Sequence, residues 1–177
     1  VSGGVEIQDG CVQIAEAVFM DNTNITSVFI PASVSNLGEE LFSGCTNLTV
    51  APELPATTLT IGCYESMFEG CKYLKTISYP NKIVSLGKNA FKGCSSLEEF
   101  TITEKISSIG EDCFDGCIYL SSIKSYNPTA PTTVTYSFGQ ISSSSYAGFA
   151  NRNKTDAEGN PYNKLFIPAI STGYLSD

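Results

Sequence analysis

Seven cysteines, eighteen acidic residues and nine tyrosines are the side chains in this 177-residue sequence that could carry chemistry, and no histidine accompanies them. Without imidazole there is no Ser/His/Asp or Cys/His nucleophile pair, no His-bearing zinc site and no ordinary pH switch. Four of the cysteines, Cys45, Cys71, Cys94 and Cys117, recur at separations of 26, 23 and 23 residues. Placed on successive stacked segments about 4.8 Å apart they form a ladder, close enough for bridging but with parallel Cβ vectors where a disulfide needs converging ones. The expectation is buried free thiols, over disulfides or a metal site. Cys113 is expected as a helical neighbour of Cys117, not as half of a zinc site. Cys11 and Cys63 fall outside the ladder, and an odd total argues against a disulfide framework.

The carboxylates behave in the same repetitive way. Glu16, Glu39, Glu40, Glu111 and Asp112 occupy equivalent points, which a structural role at helix starts predicts better than a catalytic pair does. Residues 151–160 are rich in Asn, Asp and Glu but lack the spaced carboxylates of a calcium loop, so a polar turn is expected there. The Asn-x-Thr triplets beginning at Asn24, Asn47 and Asn153 match a glycosylation pattern. No catalytic, cofactor or metal residues are assigned.

The elements that must position these groups are repeats. Phe19, Phe42, Phe68, Phe91 and Phe114 are spaced by 23, 26, 23 and 23 residues. Each copy runs Ile/Leu-Gly, a few polar residues, Phe-x-Gly-Cys-x-x-Leu, then an alternating string such as Leu97-x-x-Phe100-x-Ile102. The acid-rich start and glycine stop of the first half predict a short helical segment, with Gly44, Gly70, Gly93 and Gly116 in the left-handed position past its end. The alternation of the second half predicts a half-buried strand. One strand and one helical segment per repeat of about 23 residues is the leucine-rich repeat range. The fold class expected is therefore α/β: a leucine-rich-repeat solenoid of about five repeats, with a curved parallel sheet on the concave side and short helical or 3-10 segments on the other.

The string Phe-x-Gly-Cys-x-x-Leu followed by a strand, a proline (Pro31, Pro80) and Ile/Leu-Gly resembles the BspA-like leucine-rich repeat family of bacterial surface proteins, abundant in gut Bacteroides. The second repeat, with its proline-rich Ala51 to Leu59 stretch and three extra residues, resembles a variant within that family. The resemblance covers roughly residues 5–126. It implies a cell-surface or secreted location, a non-enzymatic adhesion role and a protein partner such as host extracellular matrix or another surface protein, with a glycan as the alternative ligand. The expected organisation is a partial repeat at 1–13, five repeats over 14–126 and a C-terminal capping segment at 127–177. Val1 follows neither a methionine nor a charged-then-apolar leader and falls half-way through a repeat, so a processed or truncated form is expected.

Composition is consistent with that expectation. A net charge of −8, with ten scattered Lys and Arg, argues against nucleic acid and anionic membrane surfaces. No run approaches the roughly eighteen apolar residues of a membrane span. In such a solenoid the strand residues beside the buried positions face outward on the concave sheet. That gives Ser27, Phe29, Val50, Pro52, Thr76, Ser78, Glu99, Thr101, Ser122, Lys124 and, at the rim, Tyr126 as the binding candidates. Phe29 is the outlier, since an outward aromatic suits an interface anchor or a surface covered by further N-terminal repeats. Binding through this face is the leading expectation. A spacer that presents another domain is the alternative, and a glycan-directed enzyme is the least supported reading.

Overall fold

The computed structural model of the chain describes residues 3–54, 64–77, 83–120, 122–125 and 132–133. Each copy of the repeat closes one coil, and successive coils lie on one another in parallel register. The strand face carries β1 (Gly3–Glu6), β3 (Ile25–Phe29), β6 (Glu99–Ile102) and β8 (Ser122–Ser125). β1 pairs with β3 so that Val5 opposes Val28, and β6 pairs with β8 so that Phe100 opposes Ile123. Between these pairs, on the strand face, the described residues of the third and fourth coils form a single bridge, Val50 to Thr76. A second ladder is made of the two-residue strands β2 (Gln13–Ile14), β4 (Asn36–Leu37), β5 (Ser85–Leu86), β7 (Ser108–Ile109) and β9 (Thr132–Thr133), paired in parallel as β2-β4 and β5-β7-β9. β9 lies within the expected capping segment; the rest of 127–177, with Ser137 to Asp177 and its polar stretch at 151–160, lies outside the described residues.

The third side corrects the sequence expectation. Among the described residues there is no helix; turns stand where helical segments were expected. The cause is a left-handed residue two positions before each phenylalanine, at Ala17, Glu40, Ser66, Asn89 and Asp112, with φ from 48° to 55°. A second follows two positions after it, at Asp21 and then at Gly44, Gly70, Gly93 and Gly116. A right-handed helix cannot pass through such alternation. The glycines do take the left-handed conformation expected of them, but they close turns, not helices.

The alternation turns every second N–H toward the next coil. Glu40, Phe42 and Gly44 donate to the carbonyls of Glu65, Met67 and Glu69 at 3.0, 3.0 and 2.7 Å. Asn89, Phe91 and Gly93 repeat this toward Glu111, Cys113 and Asp115. The intervening N–H groups close the turns, as Ser43 does to Glu40 and Cys45 to Phe42. Thus Glu40 and Asp112 owe their place to a turn, not to a helix dipole. Cys113 shares the buried column of Leu41, Met67 and Ala90 and is not a helical neighbour of Cys117.

Inside the coils, residue types repeat as columns. Phe19, Phe42, Phe68, Phe91 and Phe114 stack with centroids 5.5 to 5.7 Å apart and planes 3° to 19° from parallel. Phe100 of β6 meets Phe114 edge-on at 4.7 Å. Leu48, Leu74, Leu97 and Leu120 form a parallel column beside the cysteines. In the first coil Phe19 is only half-buried and Val18 is exposed, where Leu41 and Phe42 one coil on are fully buried.

The glycine after each Ile or Leu of the second ladder has a different task from the left-handed ones. A Cβ on Gly87 would lie 2.6 Å from the backbone nitrogen of Glu65, and one on Gly110 would lie 2.6 Å from the Gly87 carbonyl carbon. At Gly93 a Cβ would find only ordinary contacts, 3.6 Å from Gly70, although φ is 73°. Gly93→Ala should therefore cost about 1–2 kcal/mol through conformation alone. Gly87→Ala should cost more, on the order of 3 kcal/mol, because backbone must move. Urea denaturation of both variants checks the order; an equal or larger loss at Gly93 would contradict the crowding argument.

Candidate binding face

The register of the strand face places the sequence-derived candidates in two rows. Gly4, Ser27, Val50, Thr76, Glu99 and Ser122 occupy one, and Glu6, Phe29, Thr101 and Lys124 the other. Ser27, Thr76 and Glu99 are exposed, Thr101 is half-buried, and Phe29 and Val50 keep 59% and 52% of their surface in solvent. Ser122 and Lys124 are placed by backbone register alone, and Ser78 and Tyr126 lie outside the described residues.

Pro52 departs from the expectation: it is buried, as are Ala51 and Leu54. The strand alternation assumed for it ends at Val50. The Thr49 N–H points back to the Thr26 carbonyl at 3.4 Å, whereas the Ala51 N–H points forward to Thr76 at 3.3 Å. In a regular strand these two groups would share a side. The backbone rotates between them, and the ladder between β3 and the third coil stops at Thr26. No described hydrogen bond joins Val28 or Ile30 to 51–53. The splay opens a cavity of about 380 Å³ whose wall includes Ser27, Phe29, Ile30, Val50, Pro52 and Glu53.

Sequence reasoning missed this cavity and its charge. The visible signal was the three-residue-longer repeat at 45–71, which cannot keep a uniform ladder. A second signal lay in the order of the charges: all ten Lys and Arg follow position 71, while residues 1–71 hold nine acids, Glu6, Asp9, Glu16, Asp21, Glu39, Glu40, Glu53, Glu65 and Glu69. The described ion pairs, Lys88 with Glu111 at 3.0 Å and Lys92 with Asp112 at 2.9 Å and Asp115 at 3.5 Å, all lie on the turn side beyond that point.

The cysteines build no site. Cys45, Cys71, Cys94 and Cys117 are buried free thiols, as is Cys113; Cys11 is free and half-buried, and Cys63 lies outside the described residues. Each ladder thiol donates to the phenylalanine carbonyl of the preceding coil, Cys45 to Phe19 at 3.0 Å, and Cys71, Cys94 and Cys117 to Phe42, Phe68 and Phe91 at 3.1 Å. Burial holds all five thiols protonated: it pushes Cys117 up to about 12, raises Cys45, and lifts Cys71, Cys94 and Cys113 well above the ordinary range. A protonated, buried thiol is neither nucleophile nor ligand. Among the described residues no cluster of three His, Cys, Asp or Glu is placed to hold a metal, and no helix is long and apolar enough to cross a membrane.

A family model described as a BspA type leucine-rich repeat region (6 copies) matches residues 50–155. A solved leucine-rich cell surface protein from Faecalibacterium prausnitzii is 30% identical over 70% of this chain and 32% of its own, with a TM-score of 0.60. A leucine-rich repeat protein of T. pallidum is 26% identical over 68% of this chain and 57% of its own, at 0.57. One from Bacteroides ovatus, 24% identical over 74% and 32%, shares the fold at 0.62. The chain thus spans from about a third to just over half the length of these structures. No curated protein matches it.

The thiol ladder has two measurable consequences. In the native protein, a maleimide reagent should label Cys11 and leave Cys45, Cys71, Cys94, Cys113 and Cys117 unmodified until denaturant is added. Because these thiols titrate higher in the folded chain than their ordinary value of 9.0, the unfolded chain binds fewer protons above that value and stability must fall with rising pH. Cys117 alone should account for a loss on the order of 1 kcal/mol between roughly pH 8 and pH 10. Urea titrations at both pH values, with Cys117→Ala as the control of shallower slope, test this.

Proposed function

This chain belongs to the BspA type leucine-rich repeat family, and we propose that it acts as a non-enzymatic protein-binding module of a secreted or surface-anchored bacterial protein, engaging its partner through the strand face. The observation that carries the proposal is the pair of outward rows on the strand face, Ser27, Val50, Thr76 and Glu99 in one and Phe29 and Thr101 in the other, a continuous surface of side chains that no ladder or column uses. Two large apolar side chains stand there exposed, Phe29 and Val50, as interface anchors do. The similarity to the Faecalibacterium cell surface protein supports the location. A host extracellular-matrix or other surface protein is the partner class we favour, with a glycan as the alternative.

One observation favours a second reading. Comparable arrays sit within longer chains, since this one spans 32% of two of the solved structures, and a spacer presenting another domain would be built of the same coils. A single experiment separates the two. The 177-residue chain is screened against immobilised extracellular-matrix and cell-surface proteins, and any partner is retested with Thr76→Arg combined with Glu99→Arg. Both positions are exposed, so melting should be unchanged while binding falls about tenfold or more, the loss expected at an interface centre. A partner that binds the double variant undiminished, or whose binding is lost instead on Lys92→Glu of the turn side, would overturn the strand-face reading.

A further inference from the structure

The exposed apolar residues of the described part fall into several groups. Val12 and Val84 flank the second ladder, Val18 and Met20 lie on the turns of the first coil, and Tyr73, Ile118 and Tyr119 stand one and two residues before the leucine column. None of these lines the cavity of the splay. Phe29 of β3 and Val50 of the third coil do. Three independent features meet there. The cavity, at about 380 Å³, is within the size range of ligand pockets, and its wall is apolar for the greater part, with Ser27 and Glu53 as its polar members. Beyond Thr26 the backbone of β3 offers an edge that no described hydrogen bond joins to the third coil, with the Val28 and Ile30 N–H groups unclaimed by 51–53. Among the described residues the charged side chain in its wall is an acid, Glu53; Glu6 lies opposite Phe29 in the register on β1, and no Lys or Arg occurs before Lys72. Lys75, on the fourth coil, belongs to the Thr26 and Thr49 row at the start of the face.

From this geometry we infer that the splay is a docking slot for an extended, basic peptide segment of a partner protein. One aliphatic or aromatic side chain of the segment sits between Phe29 and Val50, a lysine or arginine beside it meets Glu53 and Glu6, and its backbone adds to the β3 edge at Val28, which no described residue of the third coil bonds. An apolar slot alone would not specify the occupant. The charge does, because nine acids without a base in residues 1–71 attract a cationic segment and repel an acidic one. The open edge supplies main-chain hydrogen bonds, and alternate side chains of the incoming strand supply the choice of sequence. The inference rests on the strand-face reading above and names the chemistry of its partner.

The test uses the 177-residue chain and three labelled hexapeptides of alternating residues: lysine with leucine, glutamate with leucine, and lysine with serine. Fluorescence anisotropy should show the lysine–leucine peptide binding about tenfold or more tighter than either of the others, and weakening as salt is raised. Phe29→Ser should reduce its affinity by about tenfold, as loss of an anchor does, and Glu53→Gln by about threefold, as loss of a rim charge does. Phe29 is mostly exposed, so the variant should melt with the wild type; Glu53→Gln supplies an independent probe. Hydrogen exchange should slow at the Val28 and Ile30 amides on binding. Equal binding of the glutamate–leucine peptide, indifference to Phe29→Ser and Glu53→Gln, or unchanged exchange at Val28 would each overturn the slot. So would a dimer in sedimentation that Phe29→Ser abolishes and the peptide fails to displace, since a second copy would then be the occupant. If Thr76→Arg with Glu99→Arg leaves a partner's binding intact while the lysine–leucine peptide still seats on Val28, the broad face falls and the slot stands. If the reverse holds, the slot alone falls.

Discussion

The phenylalanine carbonyl on the turn side accepts twice, and the periodicity of the molecule follows from that. Phe42 takes the N–H of Cys45 within its own coil and the thiol of Cys71 in the next, each at 3.1 Å; Phe68 does the same with Cys71 and Cys94. One acceptor thereby closes a turn and fixes the height of the following coil, using both lone pairs of a buried carbonyl. The donor must be small, apolar enough for full burial and still able to give a proton, and cysteine meets all three demands. In the first coil Asn22 takes the corresponding position and supplies the N–H, at 3.1 Å, while Cys45 supplies the thiol.

Once that height is set, the other columns have little freedom. The rings of the phenylalanine column stack offset at 5.5 to 5.7 Å, a spacing at which each covers its neighbour's face and the interior excludes water. Backbones come close enough at Gly87 and Gly110 that no Cβ fits. The left-handed residues taken alone are a cost, since Glu40, Ser66, Asn89 and Asp112 carry side chains in a conformation that disfavours them by roughly 1–2 kcal/mol each. Yet the alternation is what aims successive N–H groups out of the coil, and at Glu40, Ser66 and Asn89 three hydrogen bonds to the next coil are made for each strained residue. Each such bond contributes on the order of 1 kcal/mol net, so the exchange is favourable.

This explains which parts of the structure the sequence reading could reach. The spacing of Phe19 to Phe114 showed the repeat, the cysteine ladder followed from its one position per copy, and the left-handed glycines followed from their place after Phe. The helical segments failed because their cues are shared. Acids followed by a glycine stop describe a capped helical turn, and they equally describe a turn whose first left-handed residue is Glu40 or Asp112. Only the pattern of bonds between coils separates the two, and that is a property of neighbours some 23 residues away, not of the segment itself. Pro52 failed for a related reason: strand alternation was extended through a coil whose extra length had already ended it. The outward positions of the regular coils, Ser27, Thr76 and Glu99, were placed correctly because a parallel register carries a side chain's direction from one coil to the next.

The same constraint locates the irregular feature. A coil bonded on both sides at every level can vary only its outward side chains, which yields a surface but no cavity. Adding three residues to one coil forces a choice, and the turn side and the phenylalanine column keep their register through it: Phe42 still bonds Met67 and stacks on Phe68 at 5.5 Å. On the strand face the Thr49 and Ala51 N–H groups part, and among the described residues no hydrogen bond joins β3 to the third coil beyond Thr26. The strand face yields because its bond to the next coil is a run of ordinary ladder hydrogen bonds, whereas the turn side is also tied by thiols and stacked rings. A solenoid of this construction therefore gains concavity at the coil that breaks its period, and here that coil lies within residues 1–71, which hold no Lys or Arg.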